Sequence, residues 1–207
     1  MRRHLPARPP GLLVRGQGRH GVTGLERLAS EGERLLDSGR FEEAAVPLAQ
    51  ACALEPGSQD LSFNLGLAYL KSGRAHDAKL AFERALSLGP AAADLLSNLG
   101  LAYFELGKAE RAERCYSQAL ELEPGHPEAN NNLGVLRFQE ARYGEARSFF
   151  NRATQERPDY ADAWFNLRDC CAELLAARAD AKPGGPDMAF LAAERDKATA
   201  MLARLSS

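Results

Sequence analysis

NLGLAYLKSGRAHDAKLAFERALSLGP, residues 64–90, is a stretch that the chain repeats with variation. NLGLAYFELGKAERAERCYSQALELEP (98–124) stands 34 residues on, and NLGVLRFQEARYGEARSFFNRATQERP (132–158) another 34 beyond it. One step upstream lies SEGERLLDSGRFEEAAVPLAQACALEP (30–56), and one step downstream NLRDCC (166–171). A fixed period of about 20–50 residues marks a stacked array, in which each unit buries its apolar face against its neighbours. Starting slot 1 at Leu25, Gln59, Ala93, Pro127 and Ala161 gives four full units, 25–58, 59–92, 93–126 and 127–160. An atypical fifth unit with a capping helix is expected over 161–207.

Residue size recurs with the period. Slot 8 holds Gly32, Gly66, Gly100 and Gly134, and slot 24 holds Leu48, Phe82, Tyr116 and Phe150. Slot 20 is alanine at 44, 78, 112 and 146, and slot 27 is alanine at 51, 85, 119 and 153. Slot 11 holds Leu35, Tyr69 and Tyr103. Two helices that cross closely need small residues at the crossing and large ones beside it. Proline at slot 32 (Pro56, Pro90, Pro124, Pro158) ends the second helix. Gly39, Gly73 and Gly107 at slot 15 suit a turn with positive φ between the helices.

These matched slots resemble the tetratricopeptide repeat (TPR) family. The resemblance implies an all-α solenoid of antiparallel helix pairs, a right-handed superhelix whose concave face is lined mainly by first helices. It also implies a module that binds peptides or other proteins. Three departures stand out. Ala141 replaces the slot 15 glycine, leaving that turn's geometry open, and Arg168 replaces the slot 8 glycine of the fifth unit. The first helix of that unit runs on through CAELLAARADA to the break Lys182-Pro183-Gly184-Gly185-Pro186. Asp187 is then the expected N-cap of a last helix, with Leu191, Ala198, Met201, Leu202 and Leu205 on its apolar side. A solenoid needs such an atypical end, because its outer face meets water.

Composition narrows the function classes. The net charge is −2, yet residues 1–24 carry five arginines and no acid, so the remainder sums to −7. A mildly acidic body gives no reason to expect nucleic-acid binding. The basic leader, broken by Pro9-Pro10, reads as a disordered tail. No run approaches the roughly 18 apolar residues of a membrane span, and a cytoplasmic bacterial protein is expected. Cys52, Cys115, Cys170 and Cys171 lack metal or redox spacing and read as small apolar groups. His4, His20, His76 and His126 have no nucleophile or carboxylate partner suggested by spacing, and the glycines lack a phosphate-loop context. No enzyme activity and no cofactor are expected.

The binding candidates lie on the first helices. Slot 6 holds Asn64, Asn98, Asn132 and Asn166. The resemblance puts this slot on the concave face, and the row is similar to the asparagine ladder of O-linked N-acetylglucosamine transferases and of peroxisomal import receptors. An amide offers a donor and an acceptor together, which matches the backbone of an extended peptide. First helices ~8–10 Å apart make the row ~24–30 Å long, enough for about eight extended residues. The competing reading is that these asparagines bond a neighbouring helix. Slots 9 and 12 (Leu67, Leu101, Val135; Leu70, Phe104, Phe138) and slot 5 (Phe63, Asn131, Phe165) should also face inward. Together they suit a partly apolar peptide or amphipathic helix, unless they pack between repeats.

Of Asn130-Asn131-Asn132, only the last belongs to the ladder; Asn130 occupies slot 4, beside Leu28, Leu96 and Trp164 in other units, and is expected to weaken packing. The carboxylate clamp of chaperone-binding TPR proteins needs bases at slots 5 and 9, where this chain has Ala29 and Glu33, Phe63 and Leu67, Ser97 and Leu101, and Asn131 and Val135. Slot 2 is acidic in all five units (Glu26, Asp60, Asp94, Glu128, Asp162) and slot 16 basic in four (Arg40, Arg74, Lys108, Arg142). Both rows complement helix dipoles; the other reading of the acidic row is that it biases the groove toward basic peptides. The leading expectation is an adaptor for a protein or peptide partner. The alternatives are an assembly protein that self-associates or docks by its convex face, and a recognition arm for a separate glycosyltransferase.

Overall fold

The computed structural model describes residues 23–181 and 186–206. Among them are ten helices and no strand: α1 (Gly24–Asp37), α2 (Phe41–Leu54), α3 (Gln59–Lys71), α4 (Ala75–Leu88), α5 (Ala93–Glu105), α6 (Ala109–Leu122), α7 (Pro127–Gln139), α8 (Tyr143–Glu156), α9 (Ala161–Ala181) and α10 (Pro186–Leu205). Thr23 and Gly24, expected in the tail, are instead the cap and first residue of α1. The Thr23 side chain accepts from the Glu26 N–H, and Glu26 accepts from the Thr23 N–H. That reciprocal capping box satisfies two otherwise orphan donors. The rest of the tail lies outside the described residues.

Each helix packs on the next in chain order. The backbones of successive first helices also approach one another, from α1 to α9, whereas those of successive second helices do not. The array therefore bends with the first helices on the inside. Within a pair, contact depends on the glycine. A Cβ on Gly66, Gly100 or Gly134 would sit 2.5–2.6 Å from the ring of Phe82, Tyr116 or Phe150, and one on Gly32 would sit 2.5 Å from Leu48. All four partners are buried, and they fill the space a side chain would need.

The turn after each of the first four first helices uses one hydrogen-bond pattern. Gly39, Gly73 and Gly107 donate to the carbonyls of Leu36, Leu70 and Phe104, and the next residues reach back to Leu35, Tyr69 and Tyr103. This is the six-to-one, five-to-two pairing of a left-handed C-terminal cap. Ala141 makes the same two-bond turn at φ 57°, beside glycines at 70–78°. The neighbouring hydrogen bonds thus impose on alanine a conformation it disfavours by roughly 1–2 kcal/mol. Ala141→Gly is expected to stabilise the fold by about 1 kcal/mol, read as a higher denaturant midpoint at unchanged slope.

The carbonyls of the slot 32 prolines are satisfied by side chains from different places. Arg84 donates to Pro56 O at 2.8 Å, Gln59 to Pro90 O at 2.9 Å, Asn130 to Pro124 O at 3.0 Å, and Trp164 to Pro158 O at 2.8 Å. Asn130 is fully buried and also donates to His126 O. Its Nδ2 ties the loop to α7, while its buried Oδ1 has no hydrogen-bond partner among the described residues.

Helix α9 continues past the usual first-helix length, and α10 closes the array with Leu191 and Ala198 buried against Trp164, Leu167, Cys170 and Cys171. Asp187 is not the N-cap: it lies inside the first turn of α10 and pairs with Arg178 at 3.1 Å. Arg168 does not fill a tight crossing. It lies 4.3 Å over the Phe165 ring and binds Asp169.

Candidate functional site

Slots 2, 6, 9 and 13 are spaced i, i+4, i+7 and i+11, which puts them on one line along a helix. On the inner side of the bend this line presents Asn64, Asn98, Asn132 and Asn166, all half-buried. Leu67, Leu101 and Val135 follow at slot 9, with Phe63, Phe104 and Phe138 flanking them, all half-buried and packed against the core clusters. Phe165 is 48% exposed at the far end. Two of the expected site residues are not on the surface. Leu70, 4% exposed, packs with Phe82, Leu95 and Leu99 in the main core cluster. Asn131, 5% exposed, is buried between first helices. Slots 5 and 12 flank the inner line, so the next unit covers some of them.

The ladder asparagines differ in their commitments. Asn98 Nδ2 donates to Asp94 O at 2.8 Å, inside its own helix. Asn166 Nδ2 donates to Asn131 Oδ1 at 2.9 Å, and Asn131 Nδ2 to Asn132 Oδ1 at 3.3 Å. The first of these two bonds runs from α9 to α7 and joins consecutive repeats, and the second lies within α7. Asn131 is therefore the link between two ladder rungs. Asn64 has no hydrogen-bond partner among the described residues, and the other three keep part of their capacity open. The row serves repeat stacking at one end and leaves polar groups facing outward along the rest.

Charge on the inner side is set by the slot 2 row, which does more than cap helices. His126 is buried; its Nδ1 accepts from Ala129 N–H, and its Nε2 lies 3.0 Å from Asp94 Oδ1. Glu128 lies 3.5 Å from the same ring and also pairs with Arg157. Burial pushes the ring toward its neutral form, but the Asp94 hydrogen bond and the nearby Glu128 and Glu123 outweigh it and raise the pKa above the ordinary histidine range. The hydrogen bond from His126 holds the Asp94 carboxyl below its usual range. Histidine without a carboxylate partner was the expectation; tertiary packing supplies two, from slot 2 of adjacent units. The slot 16 bases are the residues just before the second helices, and Arg40, Arg74 and Arg142 pair with acids three residues on.

Two polar clusters escaped the slot pattern. Arg137 stands at slot 11, where other units are apolar, and is held by Glu113, Glu140 and Glu145. Its visible signal is that substitution. Glu194 on α10 accepts from Arg147, from Asn151 at 2.9 Å and from the Cys171 thiol at 3.3 Å. It had no sequence signal, because α10 lies outside the repeat. The thiols are buried and protonated: burial pushes Cys115 up to about 11 and Cys170 and Cys171 up to about 12. No group of three or more His, Cys, Asp or Glu among the described residues is placed to hold a metal ion. No helix there is long and apolar enough to cross a membrane.

Helix pairs repeated every 34 residues, bent with their first helices inside, define a helical repeat solenoid. The chain belongs to the tetratricopeptide repeat family, whose model matches residues 30–93, 63–113 and 97–161. No curated protein matches the chain. Several solved structures are similar. YrrB, described as a TPR protein with an unusual peptide-binding site, is 25% identical at TM-score 0.57, covering 82% of this chain and 90% of its own. MamA AMB-1 is 21% identical at TM-score 0.64, covering 84% and 96%. Pseudomonas aeruginosa PilF is 20% identical at TM-score 0.63, covering 86% and 88%.

Proposed function

We propose that this chain is a non-enzymatic interaction scaffold that holds an extended or helical segment of a partner protein on its first-helix face. The observation that carries this reading is the outward row of half-buried asparagines beside Leu67, Leu101 and Val135. Amides can bond a peptide backbone irrespective of its sequence, while the apolar strip rewards burial of a few partner side chains. The face is an open surface some 30 Å long, which suits a chain segment better than a small molecule, for which enclosed pockets are the rule. The peptide-binding site named for YrrB supports the reading by analogy.

Asn98→Ala combined with Asn132→Ala tests it. Each exposed amide bond contributes only about 0.5–1.5 kcal/mol, so helical circular dichroism should be unchanged and melting nearly so. Capture of the partner, compared with wild type by pull-down and mass spectrometry, should fall about tenfold or more. Retained capture, or loss of the fold in the double variant, would favour the purely structural reading of the ladder. A second reading, assembly through the outer face, is favoured by exposed leucines repeating at slot 30. Leu54, Leu88 and Leu122 are 62, 37 and 56% exposed. Sedimentation at several concentrations separates the two, since a strict monomer removes self-association.

A further inference from the structure

We infer that the segment bound by the first-helix face has an apolar centre flanked by lysine or arginine. This rests on the reading of that face as the binding surface and adds the partner's chemistry. The evidence is how charge is laid out around the apolar strip. Leu67, Leu101 and Val135 occupy slot 9 of the three central units, but the same slot carries Glu33 in the first unit and Asp169 in the fifth. The strip is thus apolar in the middle and acidic at both ends. Its long edges are acidic as well. Slot 2 is a carboxylate in every unit, and slot 13 holds Asp37, Glu105 and Glu173 against a single lysine, Lys71.

Bases neutralise only part of this ring: Asp169 is paired with Arg168, Asp94 with His126 and Glu128 with Arg157. Arg137 is committed to Glu113, Glu140 and Glu145, and Arg168 to Asp169. Arg27 and Arg34, at slots 3 and 10, stand off the inner line. Glu33, Asp60, Asp162 and Glu173 are exposed and have no ion pair among the described residues. A partner with acidic flanks would meet like charge there, whereas lysine or arginine flanks find complementary charge, and their alkyl stems extend the apolar contact. The sign is opposite to that of a basic carboxylate clamp. Three central helices about 8–10 Å apart give an apolar strip of about 16–20 Å, enough for about five or six extended residues.

The test is fluorescence anisotropy on the full chain with labelled synthetic peptides of about a dozen residues. They share a Leu/Val/Phe centre and differ only in flanks of Lys/Arg, Ser or Glu. The Lys/Arg peptide should bind about tenfold or more tighter than the Glu peptide, and should weaken as salt rises from about 0.05 to 0.3 M. The combined variant Glu33→Gln, Asp60→Asn, Asp162→Asn and Glu173→Gln should erase that preference while keeping the helical spectrum. Equal affinities for all flanks, or a preference surviving in the variant, would overturn the charge inference. If that binding were still lost in Asn98→Ala/Asn132→Ala, the face itself would stand. No binding of any peptide would overturn both.

Discussion

Gly100→Val is expected to lower the thermal midpoint by about 6–12 °C. A Cβ at position 100 would lie 2.6 Å from Tyr116 Cε1 and 3.2 Å from Cys115 Cβ. Tyr116 is fully buried and cannot swing aside, so α5 and α6 must separate. Overpacking of this kind costs about 3 kcal/mol. The gain from leaving glycine in a helix is less than 1 kcal/mol for valine, so the clash wins. Unit three is central, and in an array held by nearest-neighbour contacts a displaced pair weakens both flanking interfaces. Gly24→Ala is the control, with nothing within 4 Å of the new Cβ. Calorimetry on both variants checks the contrast, and an unchanged midpoint for Gly100→Val would show that the crossing is not close-packed.

Glu194→Ala is expected to loosen α10 without unfolding the units before it. The Glu194 side chain is 13% exposed and that of Arg147 27%, and removing the carboxylate leaves Arg147, Asn151 and the Cys171 thiol without their acceptor. Breaking a buried pair costs roughly 3–5 kcal/mol; water reaches this one in part, so about 2–3 kcal/mol is the expected loss. Hydrogen exchange should show faster exchange over α10, with α3–α6 unchanged. Arg147→Leu with Glu194→Leu should recover most of the loss, because apolar replacement removes the unmatched charge. Burial pushes the Glu194 carboxyl up, but hydrogen bonds from Arg147, Asn151 and Cys171 outweigh it and leave the pKa below the ordinary glutamate range. This contribution is therefore full above the unfolded pKa of about 4.3 and fades as pH falls through the lower folded value. Protection of α10 that stays constant below about pH 4 would contradict the assignment.

The repeat framework was readable because its causes are local and periodic. Gly66 against Phe82 recurs one period on as Gly100 against Tyr116, so one alignment exposes every crossing. The turn was equally plain, except that Ala141 left its geometry open. There the flanking hydrogen bonds hold alanine in the glycine conformation. The inner face was legible only in part. The family resemblance put slot 6 on the concave face, and the four asparagines are half-buried. Spacing within one helix says nothing of what the next unit covers, and that is why Leu70 and Asn131 were misplaced.

By itself the sequence determined the 34-residue register, the helix pair of each unit, the small-against-large crossings and the proline breaks. All of these depend on a residue and its counterpart within one unit, so they recur wherever the pattern recurs. Only the tertiary structure decided the bonds between helices made by residues of unlike slots. His126 reaches Asp94, Asn166 reaches Asn131, Arg137 reaches Glu113, and Glu194 gathers Arg147, Asn151 and Cys171. Those partners become neighbours only when helices stack side by side, at distances and angles that no single helix encodes.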